Sequence, residues 1–599
     1  MHATPRKRLA GRLATAAVLA ATAGVLTAAP AGAAIFHHGN RTVDVQLLSF
    51  NDLHGNLEAP QGSSGTVTED QPDGTKKVIP AGGMEYLASA LRSARAGHEY
   101  SITAAAGDMV GASPLMSGLF HDEPTIEALN KLKLDATSVG NHEFDEGKAE
   151  LQRMQRGGCH PKDGCFEKRK KFRGADFSYL AANVTEEKTG KQILKPYTIW
   201  RHKGVKVGII GLTLEGTPDV VTAQGVKGLK FADEVATINK YANELDRKGV
   251  KAIVTLVHEG GMPASGSYNY DCDTPGAGAG ISGPIVDIAK KVTPKVDALI
   301  TGHTHQAYNC TIPDPAGNPR TVTSASSFGR LYTDTTLKYD RRTKDFVRTP
   351  VQHARAANHV VDHDRPKAAD MTALIDRWKK LAAPVANRAV GYISADINGR
   401  GSEAYEKPLG DVIADAQLEA HAPADKGGAQ IAFMNAGGVR SDLAFKASGD
   451  EGDGVVTYGE AFTVQPFTNM TQVADLTGAQ VISVLQQQVS GAVNGSQPKI
   501  LQISKGLTYT LDMKKTGADR LVVSSVKLNG EAIDPAKTYR VAANEFLMGG
   551  GDGFPAFKEA KNKLNGVSDL DAFLSYLGAH SSKSAPLDPP KAERITIVK

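Results

Sequence analysis

No two cysteines in this chain are spaced as CxxC, no apolar run beyond residue 33 could cross a bilayer, and no heptad or internal repeat runs through the 599 residues. The first absence argues against a cysteine zinc site. The second leaves no spanning helix, which wants roughly 20 strongly apolar residues. The third excludes coiled coils and solenoids. An excess of one charge is missing too. Lys+Arg number 69 and Asp+Glu 65. Four of the basic residues, Arg6, Lys7, Arg8 and Arg12, precede the apolar "LATAAVLAATAGVLTAA" and the small-residue exit "AGA". That order reads as a secretory signal over residues 1–33. Without it the formal charge is 69 − 4 − 65 = 0. Proteins held to nucleic acid by counterion release are basic. The expectation is therefore a secreted chain with no stable nucleic-acid partner and no membrane anchor. Four cysteines, Cys159, Cys165, Cys272 and Cys310, suit two disulfides in an oxidising compartment. Of three possible pairings, closeness in sequence favours Cys159–Cys165, leaving Cys272–Cys310.

What is present is alternation. "YSITAAAGDMV", "LDATSVGNHEFD", "GVKVGIIGLT", "KAIVTLVHEGG" and "VDALITGHTHQ" each read as a strand followed by a loop. Amphipathic segments such as "GGMEYLASALRSARAG" and "EPTIEALNKLK" intervene. This is the pattern of a layered α/β domain, placed at residues 42–360. "DRPKAADMTALIDRWKKLAAPVANRAV" has helical period without strand signal and reads as a linker helix over residues 365–387. A second α/β unit follows at 388–599, from "KPLGDVIADAQLEA" to the strand-like "RITIVK". "SSGTVTEDQPDGTKK" and "TPGAGAGISGP" read as exposed loops.

The strand ends carry the chemistry. In open α/β sheets, ligands collect beyond the carboxyl ends of strands. Asp52 and His54 lie one residue apart in "SFNDLHGN", where alternation would point both to one side. Asp108 follows the second strand, Asn141 and His142 the third, His258 "AIVTLV", and His303 and His305 "VDALIT". Singly, such residues are caps or satisfied polar groups; five strand ends contributing together point to divalent cations. Carboxylates can bridge two ions, and imidazoles suit zinc, manganese, cobalt or nickel. Two ions about 3.5–4 Å apart suit in-line phosphoryl displacement.

In order, "DLH", "GD", "GNHEFD", "VHEG" and "GHTH" resemble the calcineurin-like metallophosphoesterase superfamily. "NAGGVR" at Asn435, "QPF" at Gln465 and "NEFLMGGGDGF" at Asn544 resemble the C-terminal domain of secreted 5′-nucleotidases, the group that includes bacterial UDP-sugar hydrolases. The resemblance implies a four-layer α/β/β/α domain, a linker helix and an α/β nucleotide-recognition domain. It implies that Asp52, His54, Asp108 and His305 hold one divalent ion (zinc, manganese or cobalt). Asp108, bridging, with Asn141, His258 and His303 would hold a second. His142 matches the catalytic histidine and Asp145 its partner. Phe467 and Phe546 match rings that sandwich a base, Asp552 a ribose acceptor, and Asn435 and Arg440 nucleotide contacts. No Lys-Ser/Thr follows "GGGDGF", which argues against a Walker loop. Where the family places an arginine just before its "LGN"-like segment, this chain has "GRGSEAYEKPLGD", so only Arg400, in another register, is at hand.

The expected activity is removal of phosphate from extracellular nucleotides, a small-molecule substrate class that extends to UDP-sugars and nucleoside di- and triphosphates. The alternatives are a 2′,3′-cyclic-nucleotide phosphodiesterase with 3′-nucleotidase activity and a non-catalytic nucleotide-binding protein. An intact His142 argues against the last.

Overall fold

The computed structural model describes residues 41–599 except 61, 168–169, 223, 275, 401–403 and 468. The secretory signal read at 1–33 lies outside the described residues. β1 (Thr42–Phe50), β2 (Ser101–Ala106) and β3 (Ala136–Ser138) run parallel in one sheet, with Leu331–Asp340 antiparallel beside β1. β4 (Val205–Thr213), β5 (Ile253–His258) and β6 (Ala298–Thr301) form the parallel centre of a second sheet. Parallel strands covered on both faces must be apolar along their length, and β5, IVTLVH, is buried at every position.

The sheets pack face to face. Val45, Ile102 and Ala104 from the first meet Val207, Ile209, Val254 and Ile300 from the second in one core. Helices Met84–Arg95 and Glu123–Leu132 bury their apolar faces in the core outside the first sheet. Glu234–Arg247 and Pro284–Lys291 do the same outside the second. The layers are α/β/β/α, as expected. All the parallel strands present their carboxyl ends to one edge, where the polar loops gather.

The linker helix forms at Ala369–Ala386. It is more than a linker. Met371, Leu374, Ile375 and Trp378 join the core of the first sheet's helices, and the Trp378 ring lies 4.8 Å from that of Phe120. Beyond it, Ile431–Met434, Thr538–Asn544 and Met470–Thr477 are adjacent strands of a five-stranded sheet. The closing strand, Ile595–Val598, runs parallel to Leu507–Asp512. Thr457 and Glu460 cap the start of helix Tyr458–Val464 reciprocally, the S/T-x-x-E arrangement visible in "TYGE". That helix ends just before Phe467.

One reading is corrected. "SSGTVTEDQPDGTKK" contains a strand, Thr66–Asp70, paired antiparallel with Lys76–Pro80 as a hairpin. Pro-Asp-Gly is a turn signal, but Val67 is the one buried apolar side chain of the pair, so no alternation marked the strands. Tyr268 fastens the hairpin: its N–H donates to the Thr68 carbonyl (2.9 Å) and its hydroxyl to Glu69 (2.6 Å). Cys159–Cys165 and Cys272–Cys310 are both bonded. No helix among the described residues is long and apolar enough to cross a membrane.

Trp378 is almost wholly buried, so Trp378→Ala is expected to destabilise the protein by about 3–5 kcal/mol. Denaturant unfolding followed by circular dichroism checks this. An unshifted first transition would show that the helix only tethers the two halves.

Candidate active site

β1 ends at Phe50, and Asp52 and His54 lie beyond it with φ of 50° and 47°. Strand alternation therefore does not aim them; a left-handed turn does. Asp108 (φ 52°), His303 (φ 70°) and His305 (φ 58°) share that conformation. It strains a non-glycine residue by about 1–3 kcal/mol, and such strain collects at functional sites. Glycines make the necessary room. A Cβ on Gly302 would sit 2.8 Å from Asp52 Oδ2, and one on Gly140 would overlap Asp108 Oδ1.

The donors fall into two groups that share one atom. His54 Nε2 lies 3.1 Å from His305 Nε2 and 3.5 Å from Asp108 Oδ2, while His305 Nε2 lies 3.3 Å from Asp52 Oδ1. On the other side, His258 Nε2 lies 3.0 Å from the same Asp108 Oδ2 and 3.1 Å from Asn141 Oδ1. His303 Nδ1 is 3.0 Å from that Asn141 oxygen. All seven residues expected as ligands are thus brought together, with Asp108 common to both groups.

Proton placement shows what this arrangement wants. His54 Nδ1–H donates to the Gly111 carbonyl (2.8 Å) and His258 Nδ1–H to that of Ala106 (2.8 Å). Each ring therefore turns an Nε2 lone pair toward carboxylate and amide oxygens that are themselves acceptors. Such a set is satisfied by a cation, and backbone carbonyls that fix the tautomer are the usual support of metal-binding histidines. Burial, with Asp108 adding to it, pushes Asp52 up to about 7. Burial works on Asp108 as well, but His258 and His142 hold its carboxyl well below the usual range. Burial keeps His54 and His305 neutral far below their ordinary range and brings His303 down to about 3. His258 goes the other way: against burial, Asp108 pushes it up to about 10. A proton there is the smallest cation that relieves the cluster, and a divalent ion in each group relieves all of it. The residues fit the metals that the motifs imply.

His142 stands at the edge of this centre, its backbone N–H on Asp108 Oδ1 (2.9 Å) and its Nδ1–H on Asp145 Oδ2 (2.9 Å). Burial lowers its pKa, but Asp145 and Asp108 more than offset this and raise it. Sequence reasoning overlooked Glu143, the next residue. Its buried carboxylate accepts the backbone N–H groups of Asp108 (3.0 Å), Met109 (2.8 Å) and Gly140, tying two ligand loops together. A charged residue inside "GNHEFD" was the available signal. Asn51 was overlooked too: its amide donates to Asp52 Oδ2 (2.7 Å) and to the Ser326 carbonyl (2.6 Å).

The centre opens into a cavity of about 560 Å³ whose far wall comes from the second half of the chain. Asn435, Arg440, Phe467, Phe546 and Asp552 all line it. Arg400 does so as well, with Nη2 3.2 Å from His305 Nδ1. Arg440 lies over the Phe467 ring (5.6 Å), and its Nη2 is buried with no hydrogen-bond partner among the described residues. Phe467 stacks on His142, with centroids 5.5 Å apart at 19°. Asp552 already accepts from Asn435 Nδ2 (2.9 Å) and from Lys499 Nζ (2.7 Å), a lysine that sequence reasoning missed.

This geometry has relatives. A family model described as calcineurin-like phosphoesterase matches residues 46–307, and one described as 5′-nucleotidase, C-terminal domain, matches residues 385–559. A cell wall protein of Listeria monocytogenes is 35% identical over 565 residues, covering 90% of this chain and 67% of that protein. An endonuclease of Bacillus subtilis is 31% identical over 93% of this chain, but the chain spans only 41% of its length. In fold, the chain resembles the crystal structure of a Thermus thermophilus 5′-nucleotidase precursor, with TM-score 0.72 and 23% identity over 93% of this chain and 100% of the other. The chain is thus a calcineurin-like metallophosphoesterase, a class of metal-dependent phosphoester hydrolases. Within that class it belongs to the 5′-nucleotidase family.

Glu143→Ala should leave the backbone N–H groups of Asp108, Met109, Val110 and Gly140 unpaired and loosen both loops. Loss of such supporting groups weakens metal binding by about 10–100-fold. Competition against a chromophoric chelator measures it, and unchanged affinity would reduce Glu143 to a packing residue.

Proposed function

We propose that this chain is a secreted nucleotide phosphohydrolase working with two divalent ions, and that its main activity is that of a 5′-nucleotidase. The observation that carries the reading is Asp108 Oδ2, shared by two donor groups at the floor of a cavity whose opposite wall bears Phe467, Arg440 and Asp552. Asp52, His54, Asp108 and His305 would hold one ion, and Asp108, Asn141, His258 and His303 the other. When bound, such a pair supplies a hydroxide-like nucleophile at neutral pH and polarises the phosphoryl oxygens.

The chain's own residues do the rest. Arg440 and Arg400 would neutralise phosphate charge; the Arg440 Nη2, without a partner among the described residues, supports a charge-assisted bond to a phosphate oxygen. His142, held in one tautomer by Asp145, stabilises the equatorial oxygens or delivers a proton to the leaving alkoxide. Phe467 and Phe546 offer faces for a base, worth about 1–3 kcal/mol each by stacking. Since His142 covers one face of Phe467 here, a nucleotide must take the other face or part the two rings. Secretion is supported by the signal-like residues 1–33 and by two disulfides.

One observation favours the cyclic-nucleotide reading as a second activity. Lys499 pairs with Asp552, where the family resemblance implies a carboxylate free for ribose hydroxyls. A cation at that end of the cavity suits a substrate with phosphate on the 2′ or 3′ side of the sugar. Rates on AMP, UDP-glucose, ATP, 3′-AMP and 2′,3′-cyclic AMP decide between the readings.

His142→Asn is expected to lower kcat by about 10²–10⁴-fold with the metal content unchanged, read by elemental analysis beside steady-state kinetics. Unchanged kcat removes His142 from the chemistry. Phe467→Ala with Phe546→Ala should raise KM for AMP at least tenfold, or about 1.4 kcal/mol, the lower end of stacking. Hydrolysis of p-nitrophenyl phosphate should hold. Equal losses on both substrates would mean that the rings support folding and not the base.

A further inference from the structure

A second group of metal-ligating side chains lies outside the catalytic cavity. His121 follows the short helix Leu115–Gly118, and its imidazole stacks on that of His160, with centroids 3.7 Å apart at 21°. His160 and Asp163 belong to the loop that the Cys159–Cys165 disulfide closes. Paired backbone bonds between His160 and Gly164 (3.0 and 2.9 Å) stiffen that loop. Asp163 Oδ2 lies 2.7 Å from His121 Nε2 and 3.2 Å from His160 Nδ1. Three donors from two segments therefore meet within 4.8 Å of one another.

The support around them also suits an ion. His121 Nδ1 donates to Glu146 Oε2 (2.7 Å), which leaves Nε2 to face Asp163. A carboxylate behind the far ring nitrogen is the arrangement that orients metal-bound histidines. His160 Nδ1 is the unprotonated nitrogen of its ring, and its single lone pair accepts the Asp163 N–H (3.2 Å), a bond that an ion would replace. His121 also has the left-handed backbone of the catalytic donors, φ 47°. Glu150, one turn beyond Glu146, is engaged by Arg153 (2.7 Å) and stays outside the set.

We propose that His121, His160 and Asp163 form a third, peripheral site for a divalent transition-metal ion, with Glu146 orienting His121. Two imidazoles and one carboxylate suit zinc, cobalt or nickel and leave a fourth position for water. The ion would pin the disulfide loop to the turn at His121–Asp122. Asp122 accepts the Gly111 N–H (3.1 Å), and the Gly111 carbonyl accepts His54 Nδ1–H (2.8 Å). The third ion would thus brace the backbone that holds a catalytic ligand.

The test counts ions and does not depend on activity. Full-length protein is loaded with zinc, dialysed to remove loosely held ion and assayed by elemental analysis. His160→Ala with Asp163→Asn should hold one zinc fewer than the native chain. The same difference should persist in an Asp52→Asn, His303→Asn background, where the catalytic centre is disabled. Cobalt loading should show a d–d absorption band that this peripheral pair of substitutions removes. If the double variant misfolds, His121→Gln, which leaves the disulfide loop intact, must give the same loss of one ion. Equal zinc counts in the native chain and these variants overturn the proposal. His121 would then be an imidazolium bridging Glu146 and Asp163, carboxylates that hold it up to about 9 against burial.

Discussion

Asp108 Oδ2 is the atom on which this structure depends. Two imidazole nitrogens, His54 Nε2 and His258 Nε2, approach it, each with its other nitrogen's proton already given to a backbone carbonyl. Burying so many acceptors around one carboxylate costs several kcal/mol unless positive charge joins them. The site is therefore built around cations that the chain does not itself contain. Most neighbouring features serve to hold the acceptors in place: the Glu143 carboxylate under four backbone N–H groups, the Asn51 amide on Asp52, and glycines where a Cβ would strike Asp52 or Asp108.

The two-sheet architecture makes such a centre possible. One sheet delivers Asp52, His54, Asp108 and Asn141; the other delivers His258, His303 and His305. Neither sheet alone holds both donor groups. The apolar core between the sheets fixes their separation, and close packing resists adjustment, so the Asp108 carboxylate can reach both groups without either backbone moving. The left-handed turns at five ligands are the local strain that this core sustains.

The second half of the chain supplies what the metal layers lack. Phosphate chemistry at the floor is indifferent to the rest of the substrate. Phe467, Phe546 and Asp552 add the opposite wall of the cavity, and under the proposed function that wall is what distinguishes a nucleotide from another phosphoester. The anchored helix Ala369–Ala386 bears on this division, since Trp378 packs it to the first half, while Phe467 on His142 and Arg400 beside His305 join the halves directly.

What the sequence determined alone was the inventory and its order. Apolar runs of strand length told where strands lie, because a strand covered on both faces has no polar positions to show. The polar residues after them named the seven side chains that folding brings together, and His142 beside them. Five strand-end residues cannot be silent together. The nucleotide wall was legible through "NAGGVR", "QPF" and "NEFLMGGGDGF" as a resemblance. The tertiary structure decided the rest. The hairpin of Thr66–Asp70 and Lys76–Pro80 was hidden because the residues that fasten it, Ser267, Tyr268 and Asn269, lie nearly two hundred positions away. Glu143 read as one more charge until folding buried it beneath the Asp108 loop. Arg400, offered by the sequence only in another register, came to lie beside His305 through folding. His121 and His160 had no motif to join them, since a disulfide loop and a distant turn meet only in three dimensions. Local patterns record which side chains a segment offers, whereas contacts between distant segments, which set burial and protonation, exist only after the chain has folded.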